Sequence, residues 1–480
     1  MKRFVYLITV VAFLMNGCSE KVLNEIDKNP NVLSNAPLNT LLPATEMLIV
    51  QQIAGSSATI GSGFMSEHTT LTGVTSKIQS EMQLYNGNAW ENGFVAIRSL
   101  KDIRAKADAS KVVGYSAIAD ILTAYTLSLL VDWYGDIPYT QAAEPMNNRQ
   151  PQFDKAQDLY TEMQKLLDSG IQKCDQALTA SVRPSKDDLI FGGNMVSWKK
   201  TAWGLKARLH NRLSNTNPQE TARQALTAIN NSFANNENFS VSVYSSVPDN
   251  ANPLANTFSN SSVQAVGNGI ITAMNYFLEA NEDVLNDPRA TIWFTRIGGK
   301  VIPGPNGKAS TDITLNGTLY SKPQHLKERA SAFPLLTFTE LKFIEAESQL
   351  RLGEKEKANT AYEIAVRSAL GQAGFFNANS VLSNAQITNY VSRNKVFMGA
   401  DKLTLKDIIT QKYIFHFTFQ SVEAYNDLRR SGLLPVSDPD GTPKRYPYPQ
   451  SEIGRNSNAP QNSNEQTVYT DAARLFWAKL

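Results

Sequence analysis

The residue types that most often carry catalysis are scattered along this sequence. It has four histidines, none in a metal-ligand spacing such as HExxH: His68, His210, His325 and His416. It contains no GxSxG nucleophile elbow, no GxxxxGK(S/T) phosphate loop and no strand-linked GxGxxG motif. A glycoside hydrolase site with two paired carboxylates stays an alternative, because any two of the many acidic residues can come together in a fold. The pattern favours a binding protein without cofactor or metal over an enzyme.

Aromatic and hydrogen-bonding side chains gather instead in the irregular part of the sequence. Trp293, Phe294, Arg296 and Tyr320 lie in or beside the Gly/Pro-rich stretch IGGKVIPGPNGKAS. A tryptophan ring offers a large apolar face, and sugars and extended peptides are held by such faces together with polar groups. We therefore predict that these four residues contact a ligand. Their alternative role is core packing beneath the loop.

A different kind of chemistry, acylation, is indicated at Cys18. Lys2 and Arg3 precede an almost uninterrupted apolar run, 4–15, that is too short to span a bilayer. Asn and Gly then lead directly into the cysteine, as a lipoprotein signal peptidase requires. An ordinary secretory signal is the alternative, but the AxA-like pattern of such signals is absent. We predict that 1–17 is a lipoprotein signal peptide and that acylated Cys18 anchors the mature chain.

The residues after Cys18 indicate where the protein is located, and the overall charge excludes one class of ligand. Ser19 and Glu20 resemble the small-plus-acidic tag that directs lipoproteins to the cell surface, so an exposed position on the outer membrane is expected. The chain has 46 basic and 44 acidic residues, and loss of Lys2 and Arg3 with the signal leaves 44 of each. A neutral chain without a Lys/Arg cluster lacks the basic footprint that nucleic-acid binding needs.

Three potentially reactive side chains lie inside helical, partly apolar runs. Cys174 has no disulfide partner once Cys18 carries lipid, and a lone cysteine in such a run is usually a small buried hydrophobe. His210 and His416 are predicted to be structural histidines with satisfied hydrogen bonds. The stability of the chain must therefore come from a large core.

Apolar residues at helical spacing predict the elements that would position any site. The run 114–135 leaves little room for a solvated face, so it is predicted to be a buried helix that ends before the DIPY turn, with an amphipathic partner over 152–178. A helical hairpin is predicted over 196–213 and 219–233, with Asn217 as cap and Pro218 in the first turn.

The segment 339–370 gives the clearest helical hairpin. Ala346, Ala358, Tyr362 and Ala365 fall on the small and aromatic positions of a tetratricopeptide repeat, where two helices pack closely. Repeated hairpins of this length indicate a partial helical solenoid, because each pair buries its face on the next. The predicted fold class is therefore mainly α, built on a tetratricopeptide-type scaffold.

The sequence between these hairpins has a different texture. Stretches 239–279 and 281–324 are rich in Asn, Ser, Gly and Pro, which favours strands and loops over helices. We predict an irregular lobe of loops and short strands over about 235–325, carried by the helical scaffold. No linker of disordered composition interrupts the mature chain, so 18–480 is predicted to form a single domain.

Several separated segments carry a resemblance to one known family. The opening NEIDKNPNVLSNAPLNTLLPA is similar to INxNPN, and LVDWYGDIPYTQA, after the buried helix, is similar to WGDxPY. A DPR tripeptide lies at 287–289. The other segments are DLIFGGNMVSWKKTAWGLKARLHNRLS, EAYNDLRRSG and RYPYPQSEIGRN. These segments occur in this order and spacing together with a lipoprotein signal. In these features the chain resembles the SusD/RagB family of outer-membrane nutrient-binding lipoproteins over essentially the whole mature length.

The resemblance implies a lid that sits on a SusC-like TonB-dependent barrel and traps a ligand against it. The region after the DPR tripeptide often lines the pocket in such proteins, which supports the four candidates named above. A second candidate wall lies within 61–90, with Phe64, His68 and Tyr85 as possible contacts and Trp90, at the start of an amphipathic helix, as a structural residue. The WGDxPY-like segment is interpreted as a turn that fixes helix geometry.

Three functions are compatible with the sequence. The first is a nutrient-binding lid whose cargo is an oligosaccharide, with peptides as the alternative. A neutral, Asn-rich loop region favours a neutral sugar over peptides, whose termini usually attract paired charges. The second is a surface glycoside hydrolase or peptidase, and the third is a repeat-type adaptor that docks only another protein. Family ligand sites vary, so the sequence leaves the cargo open.

Overall fold

The computed structural model describes most of the chain and confirms the mainly α fold class. The described residues are 36–61, 68–70, 78–142, 148–255, 264–279, 283–304, 320–324, 328–374, 381–393, 395–417, 419–435, 441–464 and 466–479. Its first helices are α1 Leu38–Met47, α2 Ile78–Ser110, α3 Val113–Tyr134, α4 Ala156–Leu178, α5 Met195–Arg212 and α6 Pro218–Ile229. The later ones are α7 Asn268–Tyr276, α8 Pro288–Trp293, α9 Phe338–Arg351, α10 Lys355–Gly371, α11 Asn384–Val391, α12 Leu405–His416, α13 Ser421–Ser431 and α14 Gln450–Ile453.

Helix α3 is the centre of the scaffold, as its unbroken apolar pattern predicts. Every residue from Gly114 to Tyr134 is buried. Helix α4 approaches it closely at Gly170, where an added Cβ would lie 2.6 Å from Cγ1 of Ile121. Within the described part of the chain, α3 is also the one helix long and apolar enough to cross a membrane, but 94% of its most apolar window is buried in the protein. It is therefore a core helix.

The predicted hairpins are present with their caps. Asn217 caps α6 by accepting from the amide of Glu220, and Pro218 occupies the first turn. In the α9–α10 hairpin, Ala346, Ala358 and Ala365 are completely buried, and so is the ring of Tyr362. Small side chains at these positions let the two helix backbones approach. The tetratricopeptide-type packing predicted from 339–370 is therefore confirmed.

The irregular lobe contains two short antiparallel pairs. Strand β1 His68–Thr70 pairs with β3 Gln264–Val266, and β2 Asn238–Val241 pairs with β4 Phe333–Thr337. The prediction that 239–279 lacks helix is wrong at α7. Its Asn-Gly start is typical of a turn, but Ile270, Ile271 and Met274 follow at helical spacing and are buried. Packing against α12 explains the helix, because tertiary burial overrides weak local preference.

Helix α2 differs from the prediction at its start. It begins at Ile78 rather than at Trp90, which lies well inside the helix. The chain reaches β1 through an unusual π-helical segment, Leu48–Gly61, that continues directly from α1. Gly55 makes a close approach there, since an added Cβ would lie 2.6 Å from Cγ of Pro253. The segment therefore packs against the irregular part of the chain.

Candidate ligand-binding site

Residues 68–70, part of the predicted 61–90 wall, meet the segment after Tyr320 in one backbone layer. His68 of β1 pairs with Val266 of β3. The amide of Val266 donates to the carbonyl of Ser321 at 2.9 Å, and its carbonyl accepts from the amide of Gly304 at 2.9 Å. Ser321 in turn donates to the carbonyl of Ile302 at 2.8 Å. The backbone therefore joins the 68–70 wall to the segment that follows Tyr320.

A second set of hydrogen bonds ties this layer to the end of α8. The amide of Thr295 donates to the carbonyl of Lys322 at 2.9 Å, and the amide of Lys322 donates to Oγ1 of Thr295 at 2.8 Å. Gln324 donates to the carbonyl of Trp293 at 2.8 Å. Arg296 is exposed and Tyr320 is half-buried beside these bonds. These two candidates are thus at least partly open to solvent, and their ligand roles stay predictions.

Trp293 and Phe294 lie on the other side, in the core. Trp293 is 5% exposed and Phe294 is fully buried. The indole Nε1 donates to the carbonyl of Ala373 at 2.9 Å, and the ring centroid lies 5.6 Å from that of Phe417. A ring enclosed in this way presents no face on which a sugar could stack. The geometry therefore supports the packing role, which the sequence left as the alternative.

The DPR tripeptide explains how α8 is held. Asp287 caps α8 and accepts from the backbone amide of Arg289 at 3.0 Å and from its Nη2 at 2.8 Å, with both side chains fully buried. Nη2 also donates to the hydroxyl of Tyr390 at 3.2 Å, and Nε2 of Gln411 donates to the same hydroxyl. Burial, followed by the Asp287 charge, raises the pKa of the Tyr390 phenol. The cluster links the lobe to α11 and α12.

The remaining predicted site residues lie wholly or partly outside the described part of the chain. Cys18 and Phe64 lie outside the described residues. His68 lies in β1 and Tyr85 in α2, but their side chains are outside the described set. The ligand roles of Phe64, His68 and Tyr85 therefore stay predictions.

The WGDxPY-like segment does form a turn that fixes two helices. Gly135 ends α3 with a positive φ of 85°, a conformation that favours glycine. Asp136 accepts from the amide of Ala156 at 2.8 Å, which holds the start of α4. The hydroxyl of Tyr448 donates to the carbonyl of Asp136 at 2.7 Å, and Trp90 packs edge-on against Tyr134 at 5.0 Å. This segment and Trp90 are structural, as predicted.

The residues with reactive side chains are also structural. Cys174 is buried, and burial raises the pKa of its thiol to about 12. His416 is fully buried, and burial lowers the pKa of its imidazole to about 3, so the ring is neutral. The prediction of satisfied hydrogen bonds is wrong here, since neither nitrogen of His416 nor Nδ1 of His210 has a partner. Among the described residues, no group of three or more His, Cys, Asp or Glu could hold a metal.

The comparison with protein families decides the identity of the fold. A SusD-like family model, described as starch-binding and associating with the outer membrane, matches residues 30–449. The chain belongs to the SusD-like family. A search of curated proteins gives no significant match.

Solved structures share the fold of this SusD-like chain over nearly their whole length. A SusD/RagB family protein from Bacteroides thetaiotaomicron is 21% identical with a TM-score of 0.79, covering 93% of this chain and 99% of that one. A protein described as chitin-binding is 22% identical with a TM-score of 0.71, covering 92% and 100%. A chitin-binding SusD homolog from Flavobacterium johnsoniae is 19% identical with a TM-score of 0.69, covering 91% and 98%.

Sequence reasoning missed the contacts that shape this SusD-like site. Nothing in the sequence pairs β1 with β3, because neither short segment has a distinctive alternation of apolar residues. The sequence did not reveal that Tyr390 and Gln411 lie beside Arg289, because these residues come from separate helices. The DPR tripeptide was the one available signal, since a buried Asp-Arg pair needs further polar partners.

Proposed function

We propose that this SusD-like chain is a lipid-anchored nutrient-binding protein on the external face of the outer membrane. In this role it captures oligosaccharides as the lid of a SusC-like TonB-dependent barrel. The family match over 30–449, whose description joins starch binding with the outer membrane, is the observation that carries the proposal. The chain supplies binding rather than catalysis.

The cargo is proposed to be a neutral glycan. Two solved proteins with the same fold are described as chitin-binding, which supports sugar over peptide. In this chain Tyr320 offers a half-buried ring and Arg296 an exposed guanidinium at the edge of the lobe layer. An aromatic ring and a hydrogen-bond donor in one region suit a sugar, since a ring can cover its apolar face and a donor can bind a hydroxyl.

Simple energetics explain how the proposed lid would work. A ligand that contacts both lid and barrel binds the closed arrangement better than the open one. It shifts the equilibrium toward closure by that difference in affinity. The chain would thus commit the cargo to the barrel without consuming energy itself, and the barrel would perform the energised import step.

A glycan and peptide array probed with the full mature chain in lipid nanodiscs tests the cargo. We expect retention on neutral oligosaccharides, and weaker retention for Tyr320→Ala and Arg296→Ala. Arg183→Ala, which changes an exposed arginine outside the lobe, is the matched control and should bind like the unchanged protein. Retention on peptides with failure of every glycan would overturn the sugar cargo and leave the import role standing.

Two further measurements separate the proposed role from its competitors. Purification of the tagged chain from its native membranes should recover a large barrel protein in stable association. Incubation with the retained glycan should yield no cleavage products. Release of shorter sugars would support a hydrolase instead, and the absence of affinity for any nutrient, with a partner still bound, would support an adaptor.

A further inference from the structure

A groove on the helical scaffold is not used by the proposed glycan site. It forms a cavity of about 600 Å³ between the middle of α2, the segment 148–151 and the residues around α14. We name it the arginine groove, and its lining includes Phe94, Val95 and Pro138 on the apolar side. Arg98, Arg149 and Arg455 line its rim. It therefore combines an apolar floor with three guanidinium groups at the rim.

Among the described residues, the three rim arginines have no side-chain partners. Arg98, Arg149 and Arg455 are exposed, and none forms an ion pair or a side-chain hydrogen bond with another described residue. The arginines of the scaffold core behave differently, since Arg208 and Arg430 each pair with buried carboxylates. A guanidinium has a planar fork of donors that matches a carboxylate. Three such forks around one groove leave unused capacity to bind acidic groups.

The walls that carry these arginines are held in place. Nδ2 of Asn456 donates to the carbonyl of Pro151 at 3.0 Å, and Nδ2 of Asn458 donates to the carbonyl of Gln150 at 2.8 Å. The hydroxyl of Ser457 donates to Oε1 of Gln150 at 2.7 Å. These bonds join the two walls that carry Arg149 and Arg455. A preformed groove binds at lower entropic cost than one that must be ordered by its ligand.

Two carboxylates also line the groove. Glu452 is engaged by Nδ2 of Asn456 at 2.8 Å, and Glu91 is exposed. Among the described lining residues, three arginines against these two glutamates leave a net positive charge of one. A densely charged polyanion would meet repulsion from the glutamates. A ligand with a few separated carboxylates and an apolar portion fits the lining better.

The aromatic floor favours a peptide over a sugar as the occupant. Trp90 is 5% exposed, and its ring lies 4.8 Å from that of Phe94 and stacks on Phe153 at 6.2 Å. No open tryptophan face is left for a sugar ring. Val95, by contrast, is 52% exposed at the groove and offers an aliphatic contact. An aliphatic side chain flanked by carboxylates satisfies both parts of the lining.

We propose that the arginine groove binds an acidic peptide segment of a partner protein. An apolar side chain of that segment packs on Phe94 and Val95, and its Asp or Glu side chains pair with Arg98, Arg149 and Arg455. The surface is independent of the glycan site at Arg296 and Tyr320, so this proposal goes beyond cargo capture. It stands or falls separately from it.

Fluorescence anisotropy with two labelled peptides tests the assignment. One peptide carries Glu and Asp residues around a central Leu pair, and the other has Gln and Asn in their place. With the full mature chain in neutral nanodiscs, we expect the acidic peptide alone to bind and its affinity to fall as salt screens the charges. Arg149→Gln and Arg455→Gln should each weaken binding about tenfold. Arg183→Gln, outside the groove, should bind like the unchanged chain.

Several results would overturn this assignment. Equal binding of both peptides would show that the acidic side chains do not contribute to recognition. Failure of both peptides to bind would show that the groove does not bind a peptide segment of this kind. Unchanged binding by the two rim variants would place the peptide elsewhere. Binding of an oligogalacturonate that these variants abolish, with no binding of the acidic peptide, would make the ligand an anionic sugar instead. Glycan retention by the rim variants should stay unchanged, which separates this test from that of the cargo.

Discussion

At the scale of single residues, Trp293 shows how position decides between two roles of one side chain. Its indole is hydrogen-bonded to Ala373 and packed beside Phe417, so truncation would leave a cavity and remove a buried contact. We expect Trp293→Ala to lower the free energy of unfolding by about 3 to 5 kcal/mol. Urea denaturation measures this loss. Tyr320→Ala is the companion variant, and it should change glycan binding with little effect on unfolding.

A ring that served as a ligand platform would give the opposite pair of results. Trp293→Ala would then keep the unfolding transition of the unchanged chain and lose affinity by about 1 to 3 kcal/mol. The two measurements on the same two variants therefore distinguish a packing residue from a contact residue. Neither measurement requires knowing the natural cargo, provided that one retained glycan is available from the array.

Glu46 makes a second prediction at this scale, because it is buried beside another acid. Its Oε2 accepts from the amide of Leu189 at 2.8 Å, and burial, followed by the charge of Asp188, raises its pKa well above 4.5. Asp188 itself accepts from the indole of Trp198 at 2.7 Å and from the amide of Gly193 at 2.8 Å. The folded protein therefore keeps Glu46 protonated at pH values where the unfolded chain releases that proton.

Stability should consequently fall as pH rises from the ordinary Glu pKa through the raised one, since the folded state binds more protons in that window. Glu46→Gln keeps an acceptor for Leu189 without an ionisable group. We expect this variant to lose that part of the pH dependence when unfolding is followed in urea from pH 4 to pH 8. Parallel pH profiles for both proteins would contradict the assignment. Glu91→Gln, at an exposed acid, is the matched control.

At the scale of helices, the α9–α10 crossing depends on small side chains. Ala358 is completely buried where the two helices approach, so a leucine there has no space. We expect Ala358→Leu to lower the free energy of unfolding by about 1 to 3 kcal/mol through overpacking. Thermal unfolding measures the change. Thr360→Leu places the same side chain at an exposed position of α10 and should leave the transition close to that of the unchanged chain.

Helices whose signals lie within one segment were predictable, unlike α7 and the start of α2. The apolar period of α3, the Asn217 cap of α6 and the alanines of the α9–α10 hairpin can each be read within one segment. The lobe was not predictable in the same way. The pairing of β1 with β3 and the burial of Trp293 depend on residues far apart in the chain. A sequence can therefore nominate aromatic residues for a site, but packing decides which of them remain open.

At the scale of the whole molecule, a buried ionic network joins helices from the two halves of the chain. Arg212 of α5 contacts Glu423 of α13 and lies 3.2 Å from Asp132 of α3. Arg430 of α13 contacts Glu347 of α9 at 2.8 Å. These side chains are at most 3% exposed. Charges buried this deeply are tolerated because each has an opposite partner, and removing one partner leaves the other uncompensated.

Loss of one member should accordingly be costly. We expect Glu423→Gln to destabilise the fold by about 3 to 5 kcal/mol, because Arg212 and Arg208 would keep their charges without a full counter-charge. Equilibrium unfolding in urea measures this. Asp471→Asn breaks an exposed pair with Arg474 and is the control, with little effect expected. Equal effects of the two substitutions would show that burial does not strengthen the network.

Acid should weaken the same network. Although burial alone opposes ionisation, the charges of Arg430 and Arg351 lower the pKa of Glu347 to about 2. The unfolded chain takes up protons below about pH 4.5, whereas the folded protein resists them until about pH 2. The stabilisation from this pair is therefore present above the ordinary pKa and is lost as pH falls through that window. Glu347→Gln should remove that slope in acid titrations of unfolding, and a slope that persists would assign it to other carboxylates.

The attachment of the whole molecule to a membrane gives the last prediction. The candidate membrane-length helix of the described residues, α3, is enclosed in the core, so it offers nothing to a bilayer. The predicted anchor is the acylated Cys18, whose chains would contribute about 0.8 kcal/mol for each buried methylene. In cells that lack the barrel partner, Cys18→Ser should give a folded protein that leaves the membrane fraction. Cys174→Ala changes the other, buried cysteine and should stay with the membrane. If the Cys18→Ser protein still sedimented with outer membranes in those cells, a contact other than lipid would have to hold it there.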